Sequence, residues 1–519
     1  MLKPVERKRA ELASLSRVAA SLINERLVTP TFTDTSIVLS HPKTQQTITI
    51  HLPKPLQFPQ AVHASELSGE VIYFDRSLCD GAELMRIFGK WAELASARVD
   101  QICSEFENSV QNLERAYRQK RSLTIDSPAF IWEQAVVEGH GMHPWHKCRY
   151  PLVDDFETAV LHFVAVPREG LTVVGDYGAH IAKLAPNGFD SLDSDQIVFP
   201  VHEFQLPNVM KVFPNAILLP QTITGRPQSS VRSISLPDSN VDFCIKVPLA
   251  VKITSIVRTI RPWAITIGHR LEPILSVIEN SAASFGGSLR VIREVAAAAS
   301  PSEHLGCIIR QSTESIAAET GERIIVCAAV AEHIQDVWPN IICFKAKLDA
   351  LRDFCVHLFR AVLPSVLLHG FALQAHMQNL LIRLDPTTRK IKGFLVRDLG
   401  SFRVHSETFS SSTSLDVDTT WVLTKSDSLE KVYRYILSVI HGDVASMVRA
   451  LLVGMDGWKV ARSELEKVIP ADNEMAKRVW LESPDCMSRA HLSMQLYGVS
   501  RECTMTSIPN RFYYCGCEE

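Results

Sequence analysis

The segment Glu138-Gly139-His140-Gly141-Met142-His143-Pro144-Trp145-His146-Lys147-Cys148-Arg149 places three imidazoles, a lysine and an arginine within ten residues. Lys147 and Arg149 stand at alternate positions, so an extended backbone turns both towards one anion, a polycarboxylate or a phosphate. His140, His143 or His146 with Cys148 would instead offer imidazole and thiolate to zinc, although the spacing follows no standard ligand pattern and the adjacent cations oppose a metal. A histidine-rich surface turn is the third reading.

Outward from this segment, residues 2–27 and 80–122 carry helical periodicity, and residues 35–52 alternate like paired strands. Residues 159–174 and 241–260 are strand-like, which predicts a mixed sheet in the middle third. Residues 273–299 and 344–369 follow as helical blocks. Residues 380–384 and 391–396 flank the turn Asp385-Pro386-Thr387-Thr388 and predict a β-hairpin. The Ser- and Thr-rich residues 406–420 are expected as a loop, and residues 429–452 and 462–481 as helices.

A length of 519 residues suggests about three packed units. Lys and Arg total 54 against 57 Asp and Glu, a net charge of −3, so no global basic field holds a nucleic acid or an anionic membrane. Hydrophobic residues at 46% and charged residues at 21% predict a packed core rather than disorder. The 12 scattered cysteines are expected as reduced thiols. Residues 1–27 lack the apolar stretch of a signal peptide. The most apolar region, 354–381, is interrupted by His357, Arg360, His369, Gln374, His376, Gln378 and Asn379, too many polar groups for lipid. A cytoplasmic protein is expected.

Two further groupings carry chemistry. Ser229-Ser230-Val231-Arg232-Ser233 precedes Lys246, Lys252 and Arg258, whose even separations place all three cations on one face of an unbroken strand, where a triphosphate would relieve their repulsion. Ser230 and Ser233 add hydroxyl donors. Pro248 stands between Lys246 and Lys252 and works against an unbroken strand. The other grouping runs from His369-Gly370 through Gln374, His376, Gln378 and Asn379, across the hairpin, to Arg397-Asp398-Leu399-Gly400. Kinase-like phosphate sites build a metal clamp in this order, and amide and carboxylate oxygens suit Mg²⁺. No Asp lies between His369 and Asn379, so a hydroxyl acceptor finds no proton taker there.

Read together, these segments resemble the IucA/IucC family, the NRPS-independent siderophore synthetases related to aerobactin synthetase. Glu138-Gly139-His140 through His143-Pro144, Lys147 and Arg149 is similar to the family's EGHPxHPxxKxR, and Pro200-Val201-His202-Glu203-Phe204-Gln205 to its PVHPWQ. Ser230-Val231-Arg232-Ser233 resembles SxRT, and Lys246 and Arg258 fall where the family has Lys and Arg. His369-Gly370 through His376-Met377-Gln378-Asn379 resembles HGxxxExHxQN, and Arg397-Asp398 resembles RDxxG. The sequence departs from the pattern at Gly141 for Pro, Pro151 for Gly, Glu203-Phe204 for Pro-Trp and Gln374 for an acidic residue.

The resemblance implies an α+β, cupped-hand fold with a central mixed or antiparallel sheet. Its parts would be a thumb-like N-terminal lobe over 1–125, a central ATP- and acid-binding domain over 126–340, and a largely helical, FhuF-like palm over 341–519. It implies a ligase that adenylates a carboxylate of citrate or a related polycarboxylic acid with ATP and Mg²⁺, then passes the acyl group to an amine or alcohol. Ser230, Arg232, Ser233, Lys246, His376, Asn379 and Asp398 are implied ATP contacts, with Gln378, Asn379 and Asp398 on Mg²⁺. Arg258 is implied at the junction of phosphate and carboxylate. His143, Lys147 and Arg149 are implied beside the acid, with His143 a candidate to take the released proton. His143, Arg258 and Lys147 form the expected catalytic set, and a homodimer is the implied assembly. Three alternatives stay open: a kinase-like phosphotransferase, a non-catalytic binder of a carboxylate or iron chelate, and an iron–sulphur reductase using Cys486, Cys503, Cys515 and Cys517.

Overall fold

The computed structural model describes residues 4–56, 61–119, 121–139, 141–154, 156–185, 188–189, 193, 195–415, 424–498 and 504–516. At its centre lies an eight-stranded sheet. In spatial order the strands are Thr172–Val174, Glu294–Ala299, Gly306–Gln311, Phe243–Lys246, Ser233–Ser235, Ile217–Pro227, Ala159–Pro167 and Gln196–His202. Every neighbouring pair is antiparallel.

The two-residue period of these strands sorts their side chains to opposite faces. Ala296, Ala298, Cys307 and Ile309 join Phe163, Tyr177, Phe199 and Ile245 in one core. Ala297, Ala299 and Ile308 face the other way, onto Ile260 and Ile265. There the helix Pro262–Arg270 lies so close that a Cβ on Gly268 would sit 1.8 Å from Glu294 Oε2, and one on Gly306 2.3 Å from Ile265 Cδ1. The small side chains of Ala297 and Ala299 therefore go with a close helix–sheet approach. This corrects the helical block expected over 273–299: the helix Glu272–Ser284 ends early, and Leu289–Val291 and Glu294–Ala299 are strands.

The N-terminal part packs a five-stranded sheet, Thr29–Phe32 to Arg76–Ser77, against the helices Val5–Asn24, Gly81–Trp91 and Ser96–Arg118. Its core also takes in Trp145, Cys148, Leu492 and Leu496, so the His-rich segment and the C-terminal part close one hydrophobic centre with it. The largest core lies on the other side. It surrounds a four-stranded sheet, in the order Leu289–Val291, Ile391–Val396, Leu380–Leu384 and Arg323–Val326, with the helices Phe344–Val362, Leu429–Leu451 and Gly454–Glu466. The expected hairpin is present, with Leu381 opposite Leu395 and Ile382 opposite Phe394.

Residues 406–413 are helical rather than the expected loop; residues 416–420 lie outside the described residues. Buried Phe409 anchors this helix, and its hydroxyls bond back one turn, Ser412 Oγ to the Thr408 carbonyl at 2.7 Å and Thr413 Oγ1 to that of Phe409 at 2.7 Å. The helix expected over 462–481 is broken, since Gly454–Glu466 ends before Pro470 and helical turns resume at Glu474. Among the described residues no helix is long and apolar enough to cross a membrane.

Candidate active site

The strand Ser233–Ser235 pairs with Phe243–Lys246 so that Ser233 lies opposite Lys246. Ahead of it, residues 228–233 form a tight turn in which the amide of Val231 donates to the Gln228 carbonyl at 2.8 Å and the amide of Ser233 to Ser230 Oγ at 3.1 Å. Val231 takes φ 68°, a conformation β-branched residues avoid, so the turn is held by its surroundings. Arg232 donates from Nη1 to the carbonyls of Arg258 and Thr259 at 3.1 and 3.0 Å. Arg258 is fixed in turn by its own hairpin, through Thr254 Oγ1 at 2.7 Å.

Across from these cations stands Asp398, at φ 69° just beyond the strand Ile391–Val396. Lys246 Nζ donates to its Oδ1 at 2.5 Å, and Arg310 Nη2 approaches the same oxygen at 4.0 Å. Arg310 is itself paired with Glu294 at 2.8 Å, both side chains being almost fully buried. Glu294 and Arg310 are directly opposed across their strands. The cluster thus holds Arg232, Lys246, Arg258 and Arg310 against two carboxylates, a buried excess of positive charge. Burial alone would raise the Asp398 carboxyl, but Lys246, Arg310 and Arg232 outweigh it and hold that carboxyl well below the usual range. Burial, with Arg232 beside it, lowers the Arg258 guanidinium to about 10.

The residues expected to hold Mg²⁺ are set by backbone. Asn379 directs its amide nitrogen to the Gln374 carbonyl at 3.1 Å and towards His376 Nε2 at 3.4 Å, which leaves Oδ1 for a cation. Gln378 Nε2 reaches Ser229 Oγ at 3.4 Å. The amide of Arg397 donates to the Asn379 carbonyl at 3.1 Å and brings Asp398 beside it. Among the described residues no three His, Cys, Asp or Glu side chains gather to hold a metal unaided. One carboxylate and two amide oxygens nevertheless match a hard ion that keeps waters and takes its remaining ligands from phosphate, as Mg²⁺ does.

Lys147 and Arg149 both line a cavity of about 100 Å³, together with Asn112, Arg121, Glu133, Gln228 and Ser229. They do not do so as alternate residues of an extended strand. Lys147 has φ 62°, and its Nζ donates to the Val136 carbonyl at 2.7 Å. The guanidinium of Arg149 stacks over Phe156 at 4.7 Å. Burial, with Arg149 and Arg121 adding to it against Glu332 and Glu138, lowers Lys147 to about 7.

His143 does not line this cavity. It is buried against His491, with ring centroids 4.0 Å apart, and its Nε2 lies 3.3 Å from Ser255 Oγ. The amide of Trp145 donates to its Nδ1 at 3.1 Å, so a neutral ring carries its proton on Nε2. Lys252 is also elsewhere. Pro248 separates Phe243–Lys246 from Leu249–Ile253, which belongs to a different sheet with Ile256–Arg258, and Lys252 Nζ binds Glu105 at 2.6 and 2.7 Å. The single cationic face expected for Lys246, Lys252 and Arg258 is therefore corrected. The zinc reading also loses support, because burial pushes the Cys148 thiol up to about 12; His140 lies outside the described residues. Cys503 and Cys517 lie outside them as well, and burial raises Cys486 and Cys515 to about 12 and about 11.

The IucA / IucC family pattern matches residues 129–332, and that of the ferric iron reductase FhuF-like transporters matches residues 351–501. An NRPS-independent siderophore synthetase-like protein, ankE of Aspergillus thermomutatus, is 30% identical over 424 residues, covering 73% of this chain and 68% of that protein. The chain belongs to the IucA/IucC family of NRPS-independent siderophore synthetases. A member from Rhizopus delemar, the siderophore synthetase rfs, is 26% identical over 482 residues, covering 84% of this chain and 75% of that one. In fold, the petrobactin biosynthesis protein AsbB of Bacillus anthracis matches with TM-score 0.80 at 15% identity, covering 99% of this chain and 96% of that chain. ATP-bound aerobactin synthetase IucA of Klebsiella pneumoniae matches with TM-score 0.75 at 16% identity, covering 97% and 99%. As a family member, the protein is a siderophore-synthetase-type ligase with an α+β fold.

Several IucA/IucC motif positions serve the scaffold. Glu138 binds Arg17 and the Tyr117 hydroxyl, each at 2.6 Å, and so ties the first helix to the centre. Buried Gln205 joins the two central sheets through the His304 carbonyl at 2.8 Å and the Ala250 amide at 2.7 Å. Where the family has Pro-Trp, the Phe204 ring of this chain stacks on His202 and meets Phe156, the ring under Arg149. Sequence reasoning missed Arg310, Glu294 and Glu133. The one available signal was a lone charge in each of two apolar runs, Cys307-Ile308-Ile309-Arg310 and Glu294-Val295-Ala296-Ala297, which pays off only as a buried pair.

Proposed function

We propose that the protein uses ATP and Mg²⁺ to adenylate a carboxylate of a citrate-like polycarboxylic acid, and then condenses the acyl group with an amine or alcohol. The observation that carries this reading is the adjacency of two basic sites. The Lys147–Arg149 cavity is lined by Gln228, Ser229 and Val231, the turn that runs directly into Arg232 and into Ser233 opposite Lys246. A carboxylate attacking an α-phosphate brings together two anions, and cations already buried on both sides lower that barrier without reorganisation. In this reading Ser230, Arg232, Ser233, Lys246 and His376 face the nucleotide, Arg258 faces the reacting phosphate and carboxylate, and Lys147 and Arg149 hold the acid. Gln378, Asn379 and Asp398 would hold Mg²⁺, which when bound supplies neutralising charge at the phosphates.

Condensation releases a proton. His143 suits this poorly, since its Nδ1 accepts from Trp145 and its neutral Nε2 is already protonated. We therefore assign the proton acceptor to Lys147, a buried amine lowered to about 7, and leave His143 as a donor that helps position the site. The three-part division at 125/126 and 340/341, a homodimeric assembly and a cytoplasmic location belong to the same proposal.

The test is incubation of purified protein with ATP, Mg²⁺, a panel of polycarboxylic acids and hydroxylamine, following pyrophosphate and hydroxamate. Pyrophosphate and hydroxamate that appear only with a particular acid support the reading. ADP in place of pyrophosphate would favour the phosphotransferase, and neither product together with undetectable ATP binding would favour the non-catalytic alternative.

A further inference from the structure

Glu133, on the helix Ala129–Ala135, is almost fully buried at 2% side-chain exposure and faces Arg397 at 5%. Glu133 Oε1 lies 2.5 Å from Arg397 Nη1, and its Oε2 accepts the amide of Ser229 at 3.1 Å. Arg397 donates from Nη1 to Gln228 Oε1 at 3.0 Å and from Nη2 to the Gln378 carbonyl at 2.7 Å. One ion pair therefore touches the turn that leads into Ser230 and Arg232, the loop that carries Gln378 and Asn379, and the residue preceding Asp398. These segments lie 169 residues apart for Gln228 and Arg397, and nothing local in sequence fixes their spacing.

We propose that Glu133 is a positioning residue, which through Arg397 and the Ser229 amide holds the phosphate-side turn and the metal-side loop in one fixed register. Neither charge needs to touch substrate. Their geometry sets how far Ser230 and Arg232 stand from Asn379 and Asp398, and a buried ion pair that is also bonded to the Ser229 amide, Gln228 Oε1 and the Gln378 carbonyl resists displacement. Glu133 also lines the Lys147–Arg149 cavity. The kinetic consequence rests on the proposed ligase activity; the positional one does not.

Removing one charge strands the other, so the informative variant removes both: Glu133→Gln with Arg397→Met. Amide hydrogen exchange is read in residues 228–233 and in the metal-side loops 373–379 and 397–400, with the strands Ala159–Pro167 and Gly306–Gln311 as internal reference. The expected result is about tenfold faster exchange in these loops with the reference strands unchanged, and about tenfold weaker apparent Mg²⁺ dependence of pyrophosphate release. Wild-type exchange in these loops overturns the proposal, whatever the activity. If the double variant does not fold, Glu133→Asp is read by the same exchange measurement, because it keeps the charge and shortens only its reach; unchanged loops there likewise overturn it. Wild-type protein that releases no pyrophosphate would remove the ligase reading and leave the exchange result standing.

Discussion

Lys246 Nζ and Asp398 Oδ1 meet at 2.5 Å across 152 residues of sequence, and this contact joins the central antiparallel sheet to the turn after the C-terminal hairpin. The partners are unequal: Lys246 is buried, while Asp398 keeps 30% of its side chain exposed. Asp398 is held ionised by three cations, and Lys246 is a movable point charge able to follow a phosphate.

Lys246→Met should therefore weaken ATP binding by about 10- to 100-fold, the loss of one charge-assisted hydrogen bond. Thermal stability should change little by comparison, since Asp398 retains Arg310 and solvent access. Calorimetric titration with ATP and Mg²⁺ alongside a melting curve checks this. Unaltered ATP affinity would place the nucleotide elsewhere.

Arg310 and Glu294 behave differently because both are buried, at 3% and 2% side-chain exposure. Arg310→Met alone leaves a carboxylate uncompensated beside Gly268 and should cost about 3–5 kcal/mol of stability. Adding Glu294→Gln should recover most of that stability but not nucleotide binding, because the positive charge facing Asp398 is still gone. Denaturant unfolding and ATP titration of the single and double variants separate the two effects.

What was legible in the sequence was local. The hairpin over 380–384 and 391–396 announces itself through a turn and a two-residue period, and the segments around Lys147, Ser230 and Asp398 announce themselves as dense polar chemistry. Residues 294–299 misled for a physical reason: alanine favours helices, yet here Ala297 and Ala299 face the helix Pro262–Arg270 while Ala296 and Ala298 fill the opposite core of the sheet. The pairing Glu133–Arg397 was invisible because its meeting depends on the whole fold, whereas Glu294–Arg310, opposed on neighbouring strands, was missed because residues 294–299 read as helix.

Lys147 predicts a pH profile for condensation. A group lowered to about 7 is protonated below that value and neutral above it, and only the neutral amine takes a proton. With preformed acyl-adenylate and an excess of an alcohol acceptor, which does not itself titrate near pH 7, the rate should rise through about pH 7 and then level. Lys147→Arg keeps the charge but cannot deprotonate, so it should spare pyrophosphate release and abolish the rise, while His143→Gln should preserve it. A profile that His143→Gln flattens and Lys147→Arg leaves intact would reverse the assignment.

Glu138 makes a prediction about acid stability. Burial would raise its carboxyl, but Arg17, the Tyr117 hydroxyl and Arg9 together pull it below its ordinary value of 4.5. A carboxyl depressed in the folded state stabilises the fold at pH values above its unfolded pKa, and that contribution is lost as pH falls through the folded value. Glu138→Gln should therefore lower stability at neutral pH by about 1–3 kcal/mol, the worth of hydrogen bonds to a buried cation. It should also make the loss of stability less steep as pH falls below about 4.5, because one linked proton uptake has been removed. Arg17 is 4% exposed and lies on the helix Val5–Asn24, so the loss should first loosen that helix from the centre. Hydrogen exchange of residues 5–24 at neutral pH, compared between variant and wild type, tests this directly, and equal protection would show that other contacts hold the helix in place.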